Sequence, residues 1–155
     1  MKTPQILLLV ALFALTSFAT QPQPAMSVKK ATSVLMVDKI EPSIPFFCER
    51  LGFEMTVSIP EGESLGFAIL VRDEVELMLQ THSSVKAENP KVAKMLDKSI
   101  QMLYLEVEGL ADIERALEGV ELDIPKKTTF YGATEIGVRE PGGNLLVFAE
   151  FAKTE

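Results

Sequence analysis

The chain has 155 residues, 47% of them apolar and 24% charged, which suits one folded domain and excludes a disordered tail or a collagen-like repeat. Fifteen Lys and Arg against twenty-two Asp and Glu leave a net charge of -7, so the chain lacks the basic surface that a phosphate backbone demands, and no nucleic acid partner is expected. One cysteine, one histidine and no tryptophan exclude a disulfide scaffold and a zinc site built on the usual Cys and His spacings.

The first segment reads as a leader rather than as part of the fold. Lys2 precedes an apolar run from Ile6 to Leu15, and the small-residue pattern Ser17-Phe18-Ala19 follows. This is the charged, apolar and cleavable order of a secretory signal peptide, and the apolar run is too short to span a bilayer as a permanent helix. Residues 1–25 are therefore assigned to a signal peptide with a short polar linker, and 26–155 to the domain. Cleavage near Ala19 or Ala25 leaves about 130 residues. With Lys2 removed, 14 basic and 22 acidic groups remain, a charge of -8. An exported, periplasmic or extracellular protein is the expectation; the alternatives are an uncleaved anchor and a cytoplasmic protein that starts at Met26.

From Ala31 onward strand and helix signals alternate. Ala31 to Val37 is a β-branched apolar run, and Glu41 to Arg50 reads as a helix with Pro42 and Pro45 in its first turn, where a missing N–H costs little. Phe53 to Ile59, Leu65 to Arg72 and Val75 to Thr81 read as strands, the last two joined by a tight Asp73-Glu74 turn. Ser83 to Ser99 is polar and reads as a linker with one short helix around Val92, Met95 and Leu96. The pattern then recurs: a strand over Ile100 to Val107, a helix over Leu110 to Leu117, and strands over Val120 to Ile124, Thr134 to Arg139 and Leu145 to Phe151. A shift of 67 lays Val120-Glu121-Leu122-Asp123-Ile124 on Phe53-Glu54-Met55-Thr56-Val57, and Ile136-Gly137-Val138 on Ile69-Leu70-Val71. An internal duplication accounts for both matches. The expected fold is α+β: two β-α-β-β-β modules, about 31–82 and 100–151 with a linker over 83–99, forming a curved eight-stranded mixed sheet with helices on its outer face.

Several stretches resemble the vicinal oxygen chelate superfamily, which includes glyoxalase I, bleomycin-resistance proteins and extradiol dioxygenases. They are Val37 through Glu41-Pro42-Ser43-Ile44-Pro45-Phe46-Phe47, Arg50-Leu51-Gly52-Phe53 and Val75-Glu76-Leu77-Met78-Leu79-Gln80. In the second half they are Tyr131-Gly132-Ala133-Thr134-Glu135 and Arg139-Glu140-Pro141-Gly142-Gly143-Asn144-Leu145. Glu140-Pro141 stands where the family usually has Asp-Pro. The resemblance implies one metal ligand at the start of each module's first strand and one in each last strand. Carried over, these positions fall on Thr32, Met102, Val147, and either Glu76 or Met78. At best one carboxylate is kept, and thioether and isopropyl groups do not suit a hard divalent ion. The resemblance thus implies the fold but no metal and no cofactor.

Strand alternation places one face of each sheet under the helices and the other along a concave cup. Ser33, Leu35 and Val37 belong under the helices. Thr32, Val34, Met36, Glu76, Met78, Gln80, Met102, Tyr104, Glu106 and Val147 belong to the cup and are the candidate ligand-binding residues. Glu76 and Glu106 are read as the only strand glutamates facing it. Methionines, one phenol and these carboxylates suit an irregular organic ligand, and the negative charge favours a cationic, amphipathic one. His82 reads as a solvated loop-edge residue and Cys48 as an inert thiol on the stripe Ile44, Phe47, Cys48 and Leu51, so no catalytic residue is assigned. Three functions remain open: a metal-independent small-molecule-binding protein, a lyase, isomerase or dioxygenase with a displaced metal site at Glu76, Glu106 and His82, and a secreted interaction domain with a filled cup. Uncovered sheet edges favour a homodimer.

Overall fold

A computed structural model describes residues 29–96 and 100–152; the leader assigned to 1–25 lies outside them, as do residues 97–99 of the linker. Eight strands form two four-stranded mixed sheets of the same topology. In the first, β1 (Ser33–Val37) runs parallel to β4 (Val75–Thr81), followed by β3 (Ser64–Arg72) and β2 (Glu54–Glu61) in antiparallel order. The second repeats this with β5 (Met102–Glu106), β8 (Leu145–Phe151), β7 (Ala133–Arg139) and β6 (Leu122–Thr128). The hairpin between β3 and β4 turns through Asp73-Glu74, with Arg72 paired to Val75 and Asp73 at a φ of 53°, the positive value that a two-residue turn needs at its first position.

The helix after β1, α1 (Pro45–Arg50), is wound more loosely than an α-helix. Its Pro45 sits at the first turn, and Leu51 N–H reaches back to Phe46 O at 3.2 Å, five residues away. Gly52, with a φ of 68°, turns the chain out of it, a conformation that a side chain would resist. The wide turn brings Phe46, Phe47 and Phe53 together as edge-to-face pairs at 5.5 and 5.7 Å, an arrangement that adds to their area burial.

The stretch read as a linker is more ordered than its polarity suggests. It holds two helices, α2 (His82–Glu88) and α3 (Pro90–Leu96). Thr81 Oγ1 accepts from Ser84 N–H at 3.1 Å and Asn89 Oδ1 from Val92 N–H at 3.2 Å, so each helix has its own N-terminal cap. His82 is accordingly the half-buried first residue of α2 and not a loop-edge residue. The outer strands β2 and β6 run past their expected ends through Pro60 and Pro125. At an edge a proline forfeits no ladder bond. The last helix is α4 (Leu110–Ala116).

One hydrophobic core serves both modules. Leu35, Val37, Leu70, Leu77 and Leu79 from the first sheet meet Ile136, Val138, Leu146 and Phe148 from the second, with Phe47, Leu110 and Ile113 from the helices and Leu51 just after α1. Ser33, expected there, is instead exposed at the start of β1. The ladder also corrects the register of β7. Gly137 lies opposite Val147 and Ile136 lies in the core, whereas Ile69 lies opposite Met78 and Leu70 is in the core. The equivalent of Ile69 is therefore Gly137, a shift of 68 rather than 67, and a one-residue slip in a strand exchanges its two faces.

A buried carboxylate joins the modules. Glu140, 1% exposed, accepts from Ser43 Oγ at 2.7 Å, Gly142 N–H at 2.7 Å, Asn144 N–H at 3.0 Å and Asn144 Nδ2 at 2.8 Å. Asn144 Nδ2 also donates to Met36 O at 3.1 Å, Asn144 Oδ1 accepts from Gln101 N–H at 3.1 Å, and Gln101 Oε1 accepts from Met36 N–H at 2.9 Å. Side chains of the second module thus satisfy the outward peptide groups of edge strand β1. Replacing Glu140 by Gln keeps the volume but strands buried donors, so denaturant unfolding is expected to show a loss of about 2–3 kcal/mol, and Ser43→Ala a loss of about 1 kcal/mol. A Glu140→Gln effect within the ±0.5 kcal/mol of an ordinary surface change contradicts this role.

Candidate functional site

The ladders place the candidate residues on one face of each sheet. In the first, Val34 pairs with Met78, Met36 with Gln80, Ile69 with Met78 and Val71 with Glu76. Thr32 Oγ1 donates to Glu76 Oε1 at 3.0 Å. In the second, Met102 pairs with Leu145, Tyr104 with Val147 and Glu106 with Ala149. Their exposure differs sharply. Met36 and Val147 are buried at 3% and 4%, while Met102 and Tyr104 stand open at 66% and 45%. Gln80 lines a cavity of about 510 Å³ with Ile59, Phe67 and Ser84. Glu106 lines two others, of about 300 Å³ beside Phe53, Arg72 and Ile113, and of about 630 Å³ beside Thr134, Glu150 and Phe151.

Glu76 and Glu106 are not the only strand carboxylates on this face. Glu135 pairs with Ala149 on β8, is 4% exposed and accepts a hydrogen bond from the Tyr131 hydroxyl. The Tyr104 hydroxyl feels the same pair: its ionisation is pushed above the ordinary phenol value, first by local loss of solvent and then by Glu135 and Tyr131. Glu135 escaped the sequence reading because the shift of 67 puts β7 out of phase. Counting alternate residues back from Val147 through the hairpin leads to it directly.

The positions that the resemblance assigns to a metal do not form a donor set. With Tyr104 opposite Val147 and Val34 opposite Met78, the ladder selects Met78 over Glu76, so the four positions hold a hydroxyl, two thioethers and an isopropyl group. These do not fit a divalent ion. The displaced site is not assembled either. Glu76 and His82 lie six residues apart along β4 and its exit, about 20 Å at the strand rise, beyond any shared ion. Among the described residues no three His, Cys, Asp or Glu side chains converge as metal ligands. Cys48 is half-buried against the core, and burial pushes its thiol up, which reduces thiolate at neutral pH. No helix among the described residues is long and apolar enough to cross a membrane.

A family model described as the glyoxalase/bleomycin resistance protein/dioxygenase superfamily matches residues 30–148. The chain belongs to this superfamily. Solved structures agree on the fold. A glyoxalase/bleomycin resistance protein/dioxygenase from Nocardioides is 21% identical with a TM-score of 0.64, over 85% of this chain and 89% of that one. A lactoylglutathione lyase from Agrobacterium tumefaciens is 15% identical at 0.62, over 83% and 96%. A bleomycin-binding protein complexed with bleomycin is 20% identical at 0.57, over 81% and 100%. No curated protein matches the sequence.

The superfamily member described here has two tyrosines, Tyr104 and Tyr131, which makes the first directly observable. In a Tyr131→Phe variant the phenolate absorbance of Tyr104 is expected to stay absent at pH values where a free tyrosine, with its pKa near 10.0, is ionised. The raised value favours the folded state while the phenol is protonated, so this contribution is intact below about pH 10 and is lost as the pH rises from there through the folded value. Ionisation at the ordinary value contradicts the cluster.

Proposed function

We propose that the protein is an exported, metal-independent binding protein for a small organic molecule, in the manner of the bleomycin-binding relative rather than of the lyase. The observation that carries this reading is the replacement of the four metal positions by Thr32, Met78, Met102 and Val147 on faces that otherwise offer thioethers, aromatic rings and carboxylates. Polarizable, adaptable side chains around a few charges suit binding by enclosure. With a charge of -8 on the mature chain, the ligand is a cationic amphipath. The open outer strands support a homodimer: Val57 and Ile59 on β2 are 41% and 53% exposed, and β6 is open along almost its whole length. Unpaired strands of this kind are normally covered.

Elemental analysis of purified protein is expected to find no stoichiometric zinc, iron, manganese or nickel, and chelator treatment to leave its melting temperature unchanged. One ion per chain, removed with loss of heat stability, contradicts the reading, since a resident metal adds to folding free energy. Light scattering at micromolar concentration is expected to give twice the chain mass. N-terminal sequencing of the exported fraction is expected to start after Ala19 or Ala25, and a cytoplasmic product beginning at Met26 contradicts export.

A further inference from the structure

Beneath the open face of the second sheet lies a charge surrounded by rings. Glu135 is buried in β7, and around it stand Tyr104 from β5, Tyr131 from the turn before β7 and Phe151 from the end of β8, each between 39% and 48% exposed. Tyr131 and Phe151 have ring centroids 6.3 Å apart, and the fully exposed Phe130 meets Tyr131 edge-to-face at 5.0 Å. The Tyr131 phenol donates to Glu135, and the Tyr104 phenol lies close enough to feel both groups. A phenol that donates to a carboxylate carries extra electron density in its ring, which strengthens the attraction of the ring face for a cation. Glu135 is only 4% exposed, so its field is screened less than that of a surface acid. Single exposed aromatic residues need no explanation; three grouped around one buried acid, with a fourth against them, do.

We propose that Tyr104, Tyr131 and Phe151 over Glu135 form a subsite for an alkylated ammonium group, the cationic end of the ligand. The inference rests on the reading that this protein binds an organic cation, and it moves the anchor from Glu76 and Glu106 to Glu135. N-alkylation matters because such a cation is weakly hydrated and presents carbon to the rings, whereas a primary ammonium needs hydrogen-bond acceptors. Glu135 is buried while the rings are half-exposed, and one of its oxygens is already engaged by Tyr131, so it supplies charge rather than a contact. Lys127, opposite Glu135 on β6, makes no ion pair with it and sits where it opposes a bound cation. That gives the subsite a distinctive sign: removing Lys127 improves binding.

The test is an NMR titration of the full mature chain, its two tyrosines labelled, with phenyltrimethylammonium and with its uncharged isostere tert-butylbenzene. Both tyrosine ring signals are expected to shift with the ammonium, and the isostere to bind at least about tenfold more weakly. Glu135→Gln is expected to weaken ammonium binding at least about tenfold and Tyr104→Leu about fivefold, whereas Lys127→Ala strengthens it about two- to threefold. Tyr104 and Lys127 are exposed, so their variants keep the test decisive if Glu135→Gln fails to fold. Equal binding of the two isosteres overturns the proposal, as does tyrosine signals that respond to protein dilution but not to the ammonium. Ammonium binding that survives Glu135→Gln and Tyr104→Leu but falls in the Glu76→Gln, Glu106→Gln double variant overturns the subsite while leaving the cationic ligand standing. No ammonium binding while neutral or anionic compounds bind the same face overturns both.

Discussion

Glu140 holds the two halves of this protein in one register. Its carboxylate satisfies Gly142, Asn144 and Ser43 at once, and Asn144, held in this way, reaches across to Met36. Gly142 is required beside it, because a Cβ there would lie 2.3 Å from Val37 Cγ1 and 2.7 Å from Glu140 Oε1. The consequence is an unusual way of treating a sheet edge. β1 neither remains open to water nor extends the second sheet; Met36 gives its N–H and C=O to the side chains of Gln101 and Asn144. The two sheets share a core and a fixed junction while their ladders stay separate, which fixes where each open face lies relative to the core.

From that junction outward, the two open faces differ in chemistry. The first is thioether and amide, with Met36, Met78 and Gln80 in neighbouring positions and Thr32 bonded to Glu76. The second is aromatic and acidic, with Tyr104, Tyr131 and Phe151 around Glu135. Gly137 keeps the second face accessible to its own neighbour, since Ile124 lies over it and a Cβ would come within 2.8 Å. At the positions that the resemblance assigns to a metal and around them, these faces offer thioether, amide and aromatic surface with a few carboxylates. Such surface discriminates ligands by shape and charge rather than by coordination.

Much of the fold is legible in the sequence because it depends on local patterns. The apolar run of β1, the two-residue turn at Asp73-Glu74, and the alternation along Val75–Thr81 and Leu145–Phe151 are each set by period or turn chemistry. What escaped was set by longer-range or smaller effects. α2 depends on one Thr81 hydroxyl and a single buried side chain, Val85, too little apolar signal to stand out in a polar stretch. The phase of β7 depends on how far the hairpin at Glu140–Asn144 carries the chain, and one residue of error there hid Glu135 in the core. Met36 and Met102, alike in sequence terms, differ from 3% to 66% in exposure, and Met36 is the one whose peptide group is bonded across the junction.

An organic molecule, not a metal ion, is proposed to occupy the place where the resemblance puts a metal. Native mass spectrometry of protein isolated from its own host tests it most directly. A retained adduct of several hundred daltons, of the order of a pocket-sized ligand, lost on denaturation together with a positive charge, is expected. An adduct whose mass is that of one divalent metal ion per chain would contradict it.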